Sequence, residues 1–336
     1  MRTGVNPAKL NFKLEKRNHH RIIIPVFIPN FEGYFQEIFE VYKACIESAW
    51  LTQHNRSAIT VVDNGSCPEV KAWLRLQQDL GKIETLITHS QNIGKVDAIL
   101  GAARACREDL ITLSDSDILF KNGWQEAVEN VFVEFEQAGS VAPFPIARHL
   151  YYYSSSVMKA VIQKKLSFGF EKTEDQESIR KIYSCYGWDF KEEYDSNLPI
   201  VRSKKGMAVA GSGHQVMTIR REAIFQMPFN PSFIKISNNS EALWIDKPID
   251  DFGYWRLSTP KAWVSHMGNH LTDENNNDFQ TLVKNQTEVD LIQLNSLSPK
   301  RSNSLINRIY GKFFRKSYDH RGPAPKLKVQ TEQDGL

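Results

Sequence analysis

Over the first 140 residues, apolar and polar positions alternate between two rhythms. Arg21 to Pro29 (RIIIPVFIP) is a short β-branched run ended by proline, the pattern of a buried strand. From Phe31 to Trp50 the apolar residues Phe35, Ile38, Phe39, Tyr42, Ile46 and Ala49 recur at helical spacing. Ala58 to Val62 predicts a second strand, stopping at Asp63-Asn64-Gly65-Ser66, a turn composition. A helix is expected over 68–80, a strand over 83–88 and an alanine-rich helix over 94–106. A fourth strand, 109–113, ends at Ser114-Asp115-Ser116-Asp117, and a helix is expected over 123–137. This alternation predicts a doubly wound α/β sheet. Such sheets bind ligands beyond the carboxyl ends of their strands, where both polar clusters fall.

Beyond Ser140 the rhythm breaks. Residues 148–197 are rich in Tyr, Phe and Lys, with one helix expected over 157–166. Residues 201–221 read as strand, turn, strand around Gly211-Ser212-Gly213. Short helices are expected from Ala223 and around Pro248, and a short strand over 263–266. Near the end, SLINRIYGKFFRK places Leu305, Ile306, Ile309, Tyr310, Phe313 and Phe314 on one half of a helical wheel. Arg308, Lys312, Arg315 and Lys316 lie on or beside the other half, and Gly311 weakens the helix. Such a basic amphipathic helix either lies in a membrane interface or docks its apolar side on the domain. Past Gly322-Pro323 the chain is expected to be disordered.

Composition narrows the classes. With 336 residues, 41% hydrophobic and 24% charged, the chain can build a packed core, and wholesale disorder is excluded. No apolar run approaches the roughly 18 residues of a membrane-spanning helix. Met1 to Arg21 has no apolar centre of a secretory signal. Cys45, Cys67, Cys106 and Cys185 form no CxxC pair, which speaks against a zinc cluster or a disulfide framework. A cytoplasmic protein is therefore expected, and the Asn-x-Ser/Thr triplets at Asn55, Asn64, Asn238 and Asn285 are read as chance. The net charge of +3 hides nine Lys/Arg against one Asp between residues 299 and 328, leaving 33 basic and 38 acidic residues elsewhere. Basic charge confined to one segment does not indicate a nucleic-acid binder.

Three segments are candidates for chemistry. On an extended backbone Asp115 and Asp117 point to one face, a hard-oxygen pair suited to Mg²⁺ or Mn²⁺. The alternative is a solvated turn. Asp63 either accepts hydrogen bonds from a nucleotide or closes an Asx turn. In Asn92-Ile93-Gly94-Lys95 the glycine permits close approach and Lys95 brings a cation, unless this is ordinary helix-start chemistry. No GxxxxGK[ST] phosphate loop occurs, and Gly211-Ser212-Gly213 lacks the third glycine of a dinucleotide fingerprint. His266 and His270 are four apart, but no Glu follows His266, so no HExxH site exists. Trp244 and Trp255 suit either sugar stacking or the core.

The ordered series IIIPVFIPN (22–30), VVDNGS (61–66), NIGKVDAILGA (92–102), LSDSDILF (113–120), GSGHQVMTIRREA (211–223), IDDFGYWRL (249–257) and WVSHMG (263–268) resembles the inverting family 2 glycosyltransferases of the GT-A fold. The resemblance implies a Rossmann-like doubly wound mixed sheet with a C-terminal helical extension. It divides the chain into a basic leader (1–20), a nucleotide-sugar half (21–142), an acceptor half (143–285) and a basic tail (286–336). It implies that Pro25 and Phe27 line the base pocket and that Asp63 faces the uracil and ribose. Asn92, Gly94, Lys95, Asp115 and Ser116 would lie along the nucleotide-sugar. Asp115 and Asp117 would hold Mn²⁺ or Mg²⁺, with His266 as a third ligand. Asp250 or Asp251 would be the catalytic base, although the family's Glu-Asp is Asp-Asp here. His214-Gln215-Val216-Met217 replaces the usual Asn-x-x-Phe. The implied activity is metal-dependent inverting transfer from a nucleotide-sugar, a UDP-sugar by expectation, to a glycan or lipid-linked acceptor. The tail would lie at an anionic membrane surface. The alternatives are a non-catalytic nucleotide-sugar or glycan-binding protein of the same fold, and a membrane-surface scaffold using only the tail.

Overall fold

The computed structural model describes residues 4–9, 12–236, 240–297 and 300–321. The expected beyond-Gly322 disorder and the triplet at Asn238 lie outside the described residues. The first part of the chain gives β1 (His20–Val26), α1 (Ile38–Thr52), β2 (Ser57–Asp63), α2 (Pro68–Asp79), β3 (Thr85–Thr88), α3 (Lys95–Ala105), β4 (Leu110–Ser114), β5 (Ile118–Phe120), α4 (Trp124–Glu134) and β6 (Ala138–Ala142). The next part gives α5 (Ser155–Ile162), β7 (Ser167–Lys172), α6 (Gln176–Cys185), α7 (Glu192–Asp195), β8 (Asn197–Arg202), β9 (Met207–Ala210) and β10 (Val216–Arg220). The last part gives α8 (Arg221–Ile224), α9 (Lys247–Asp251), β11 (Trp255–Ser258), β12 (Val264–His266), α10 (Asp273–Gln280) and α11 (Ser304–Tyr318).

Ten strands form one mixed sheet in the order β3-β2-β1-β4-β10-β6-β11-β9-β8-β7. The first four are parallel, and β10 enters antiparallel between β4 and β6. Burial of both faces of β1 explains its apolar run from Ile22 to Val26. Ile22 and Ile24 pack with Tyr42 and Ile46 of α1, whereas Ile23 packs with Ile99 and Ala103 of α3 on the other side. Burying each isoleucine contributes about 1.5–3 kcal/mol. The predicted strands and helices of the first 140 residues are present, but α1 begins at Ile38 after a 3₁₀ turn at Gly33–Phe35.

Several elements lacked a sequence signal. The small residues of β6 (AGSVA) form a strand because β10 and β11 supply partners on both sides. Within 148–197 the structure adds β7, β8, α6 and α7 to the one expected helix. The short helix near Pro248 is α9, after which Gly253 at φ 80° turns the chain into β11.

At the amino end of β1, three imidazoles surround one buried carboxylate. Glu129 Oε1 lies 3.0 Å from His19 Nε2, 2.6 Å from His20 Nδ1 and 2.9 Å from His54 Nε2. Burial pushes the Glu129 carboxyl up, but these hydrogen bonds outweigh it and hold it far below the ordinary range. His54 Nδ1 accepts the Arg56 N–H at 3.1 Å, so its Nε2 bears the proton and has no lone pair for a metal. The cluster ties the end of the leader to β1, the α1–β2 loop and α4.

Candidate active site

The carboxyl ends of β2 and β4 bring the expected residues to one edge of the sheet. Asp115, Ser116 and Asp117 form the turn between β4 and β5 rather than extended strand. The turn itself, not strand alternation, aims both carboxylates the same way. β5 then pairs antiparallel with β12, with His266 opposite Ile118, and the Met267 N–H donates to Asp117 O at 2.8 Å. That ribbon brings a candidate ligand from a distant part of the chain. One ligand atom from each of Asp115, Asp117 and His266 lies within 4.8 Å of the others. His266 Nε2 is 3.5 Å from Asp117 Oδ2, and Tyr186 meets the imidazole edge-on at 5.1 Å.

This donor set fits a divalent cation. Asp117 Oδ1 and His266 Nδ1 are buried with no hydrogen-bond partner among the described residues. Burial pushes the Asp117 carboxyl up to about 6; His266 opposes the rise and Asp115 adds to it. Two carboxylate oxygens and an imidazole nitrogen are ligands suited to Mn²⁺. Lys95 lies alongside, with Nζ 2.5 Å from Asp115 Oδ1 and 2.7 Å from Glu241 Oε1. Burial would raise the Glu241 carboxyl, but the Lys95 ammonium holds it down to about 2.

The Asp63 side chain forms the Asx turn and leaves its second oxygen free of it. Its Oδ1 accepts the Ser66 N–H at 2.8 Å, closing the turn, while the buried Oδ2 has no partner among the described residues. Asn64 Nδ2 donates to Asn92 Oδ1 at 3.0 Å, and Asn64 Oδ1 accepts the Ile93 N–H at 3.0 Å. Together they fix the 91–94 segment against the end of β2. Gly94 caps α3 at φ 96°, and a β-carbon there would strike the Ile234 carbonyl. Pro25 is buried in β1 opposite Val62, and half-buried Phe27 meets Phe35 edge-on at 6.1 Å.

Residues 22–186 match the model of the family described as glycosyl transferase family 2. Just under half of the chain, 165 of its 336 residues, thus matches the family 2 glycosyltransferases. The protein has the mixed α/β sheet of the GT-A fold, which places the acidic turn at the strand ends. Comparison with the curated proteins gives no match. Among solved structures it is similar to GalNAc-T7 with UDP, GalNAc and Mn²⁺, at 12% identity and TM-score 0.41, over 74% of this chain and 42% of the other. It is similar to the mannosyltransferase PcManGT from Pyrobaculum calidifontis with GDP-Man and Mn²⁺, at 13% identity and TM-score 0.43, over 73% and 56%. It is also similar to S. aureus TarS 1-349, at 9% identity and TM-score 0.40, over 77% and 62%. The protein thus spans less than two thirds of each of these chains.

The structure does not join Asp250 and Asp251 to the acidic turn through any contact among the described residues. Asp250 accepts the Ser155 N–H at 3.1 Å and the Ser156 N–H at 2.7 Å, binding the first turn of α5. Asp251 pairs with Lys247. Trp255 is buried against Phe135 at 6.5 Å and belongs to the core, while Trp244 donates to Asn230 O at 3.3 Å. Sequence reasoning missed Glu241 and Asp246. Neither follows a strand, and their partners Lys95 and His214 are remote in the chain.

Proposed function

We propose that this protein is a glycosyltransferase that transfers a sugar, with inversion, from a UDP-sugar to a glycan or lipid-linked acceptor in a metal-dependent reaction. The observation that carries the reading is the convergence of Asp115, Asp117 and His266 at the strand ends, with two unpartnered ligand atoms. A divalent ion held by these three residues would offset the charge of the departing diphosphate. Asp63 Oδ2 accepts from the nucleoside, and Pro25 and Phe27 flank the base. Asn92, Gly94 and Ser116 line the path of the diphosphate. Lys95, fixed between Asp115 and Glu241, keeps a positive charge beside it. The 21–142 half holds the donor and the 143–285 half the acceptor.

The reading also places the enzyme on the cytoplasmic side, peripherally at an anionic membrane, through its tail. No helix among the described residues is long and apolar enough to cross a membrane. In α11 the apolar side chains divide. Phe314 is fully buried against Phe168 at 4.9 Å, whereas Leu305 (64% exposed), Ile309 (66%) and Phe313 (53%) face outward beside Arg308, Lys312 and Lys316. The helix thus docks and still offers a basic, apolar outer face suited to lipid.

Release of nucleoside diphosphate from UDP-Glc, UDP-GlcNAc, UDP-Gal and GDP-Man, with Mn²⁺ or with EDTA, tests the reading. Turnover of a UDP-sugar that EDTA abolishes is expected. Turnover unchanged by EDTA removes the metal role. No turnover, with nucleotide-sugar binding retained, favours a binding protein of this fold.

A further inference from the structure

Beside the acidic turn lies a second constellation, which the donor site does not use. The Gly211-Ser212-Gly213 loop leads into His214, and the next residue is tied to the acidic turn: Asp115 N–H donates to Gln215 O at 2.7 Å. His214 Nδ1 is 2.9 Å from Asp246 Oδ2. Asp246 Oδ1 is in turn 2.7 Å from Arg256 Nη2, and Arg256 is fully buried. Asp246 ends a π-helical turn at Ala242–Asp246, an irregularity frequent at functional sites.

These contacts fix the imidazole tautomer. An ionised carboxylate only accepts, so Nδ1 carries the proton and donates it to Asp246. Nε2 keeps its lone pair and has no hydrogen-bond partner among the described residues. The side chain is 25% exposed, so the ring reaches solvent. The negative charge of Asp246 is shared with Arg256. The other charged and titratable groups around the ring are Glu241, Lys95 and His149. Burial pushes the His214 imidazole down, but Asp246 outweighs it and raises it above the ordinary value.

We infer that His214, oriented by Asp246 and Arg256, is the proton acceptor for the incoming hydroxyl. The inference rests on the sugar-transfer reading and assigns its base. As the acceptor oxygen bonds to the anomeric carbon, its proton passes to His214 Nε2. The bond from that carbon to the diphosphate oxygen breaks, and its electron pair leaves on the nucleoside diphosphate. The imidazolium then returns its proton to water. Asp250 is less suited, because both its oxygens are occupied by the amino end of α5. Asp246 and Arg256 act through His214 as positioning residues.

The test measures nucleoside diphosphate release from the four nucleotide-sugars above with Mn²⁺, between pH 5.5 and 9. Wild type, His214→Ala, His214→Gln, Asp246→Asn and Asp251→Asn are compared, and UDP affinity with Mn²⁺ is measured for each by calorimetry. His214→Ala and His214→Gln are expected to lower kcat by about 10²–10⁴. UDP affinity should stay within about threefold of wild type, and added imidazole should partly restore His214→Ala. The rise of kcat with pH on the acid limb should vanish in both His214 variants. Asp246→Asn should also lower kcat, because an amide permits the wrong tautomer. A His214→Ala enzyme with wild-type kcat and pH profile overturns the assignment, as does inactivation confined to Asp251→Asn. Loss of UDP affinity together with kcat in both His214 variants marks a structural role and also overturns it. A wild type that consumes no donor defeats the transfer reading itself, a result distinct from these.

Discussion

His149 shows how one side chain shapes this site. It is buried under the Gly211–Gly213 loop, and its Nδ1 has no partner among the described residues. A β-carbon on Gly213 would lie 2.6 Å from His149 Cε1, and one on Gly211, at φ 98°, would strike the His149 backbone. The glycines let the chain pass over this ring on its way to His214. Burial pushes His149 down to about 3, with Arg256 and His214 adding to the fall. The unfolded chain therefore binds a proton near pH 6.5 that the folded chain refuses until far lower pH. Stability from this residue is complete above pH 6.5 and is lost as pH falls toward 3. At pH 5 the loss is about 2 kcal/mol. Urea unfolding at pH 7 and pH 5 should show a smaller pH-dependent loss in His149→Gln than in wild type. Equal losses would contradict the account. At this scale the sequence was most legible where a polar residue ends an apolar run. Asp63, Asp115 and Asp117 announce themselves that way. The His214–Asp246 contact joins segments far apart in the chain, so no local pattern contains it.

Among the elements, α11 differs most from its helical-wheel reading. The apolar half-wheel was read as one surface, yet Phe314 turns inward while Leu305, Ile306, Ile309 and Phe313 turn out. Asn307 is buried as well, so the docking side includes a residue that the wheel counted as polar. Gly311 faces Met158 of α5, with 3.9 Å from a would-be β-carbon to its sulfur. The helix tolerates this glycine because α5 packs along it. Sedimentation with vesicles of phosphatidylcholine alone, or with 30% phosphatidylglycerol, tests the outer face. Binding is expected only to the anionic vesicles. Lys312→Glu with Lys316→Glu should weaken it at least tenfold, since each basic residue near such a surface contributes about 1 kcal/mol. Binding that ignores lipid charge would contradict the reading. The strands that escaped prediction share a cause with this helix. β6 and β11 are defined by neighbours in the sheet rather than by their own periodicity.

Over the whole molecule, one sheet joins the two halves. β10 lies against β4 of the first half, with Met217 opposite Leu113, and against β6 on its other side. The same strand brings Gln215 to Asp115, so the second half is registered on the acidic turn through a backbone hydrogen bond. The first half was legible because the parallel strands β1, β2 and β4 are buried on both faces and carry apolar runs. The second half is mostly antiparallel and partly edge, so its strands mix small, polar and aromatic residues. Its candidate ligand His266 is implied by the resemblance, but the β5–β12 ribbon that carries it leaves no local signal. The central claim is that Asp115, Asp117 and His266 hold a divalent cation that binds together with a nucleoside diphosphate. Isothermal titration of UDP into the protein, with Mn²⁺ and with EDTA, for wild type and Asp117→Asn, tests it most directly. The account predicts that Mn²⁺ tightens UDP binding at least tenfold in wild type and has no such effect in Asp117→Asn. Equal UDP affinity with Mn²⁺ and with EDTA in wild type would contradict it.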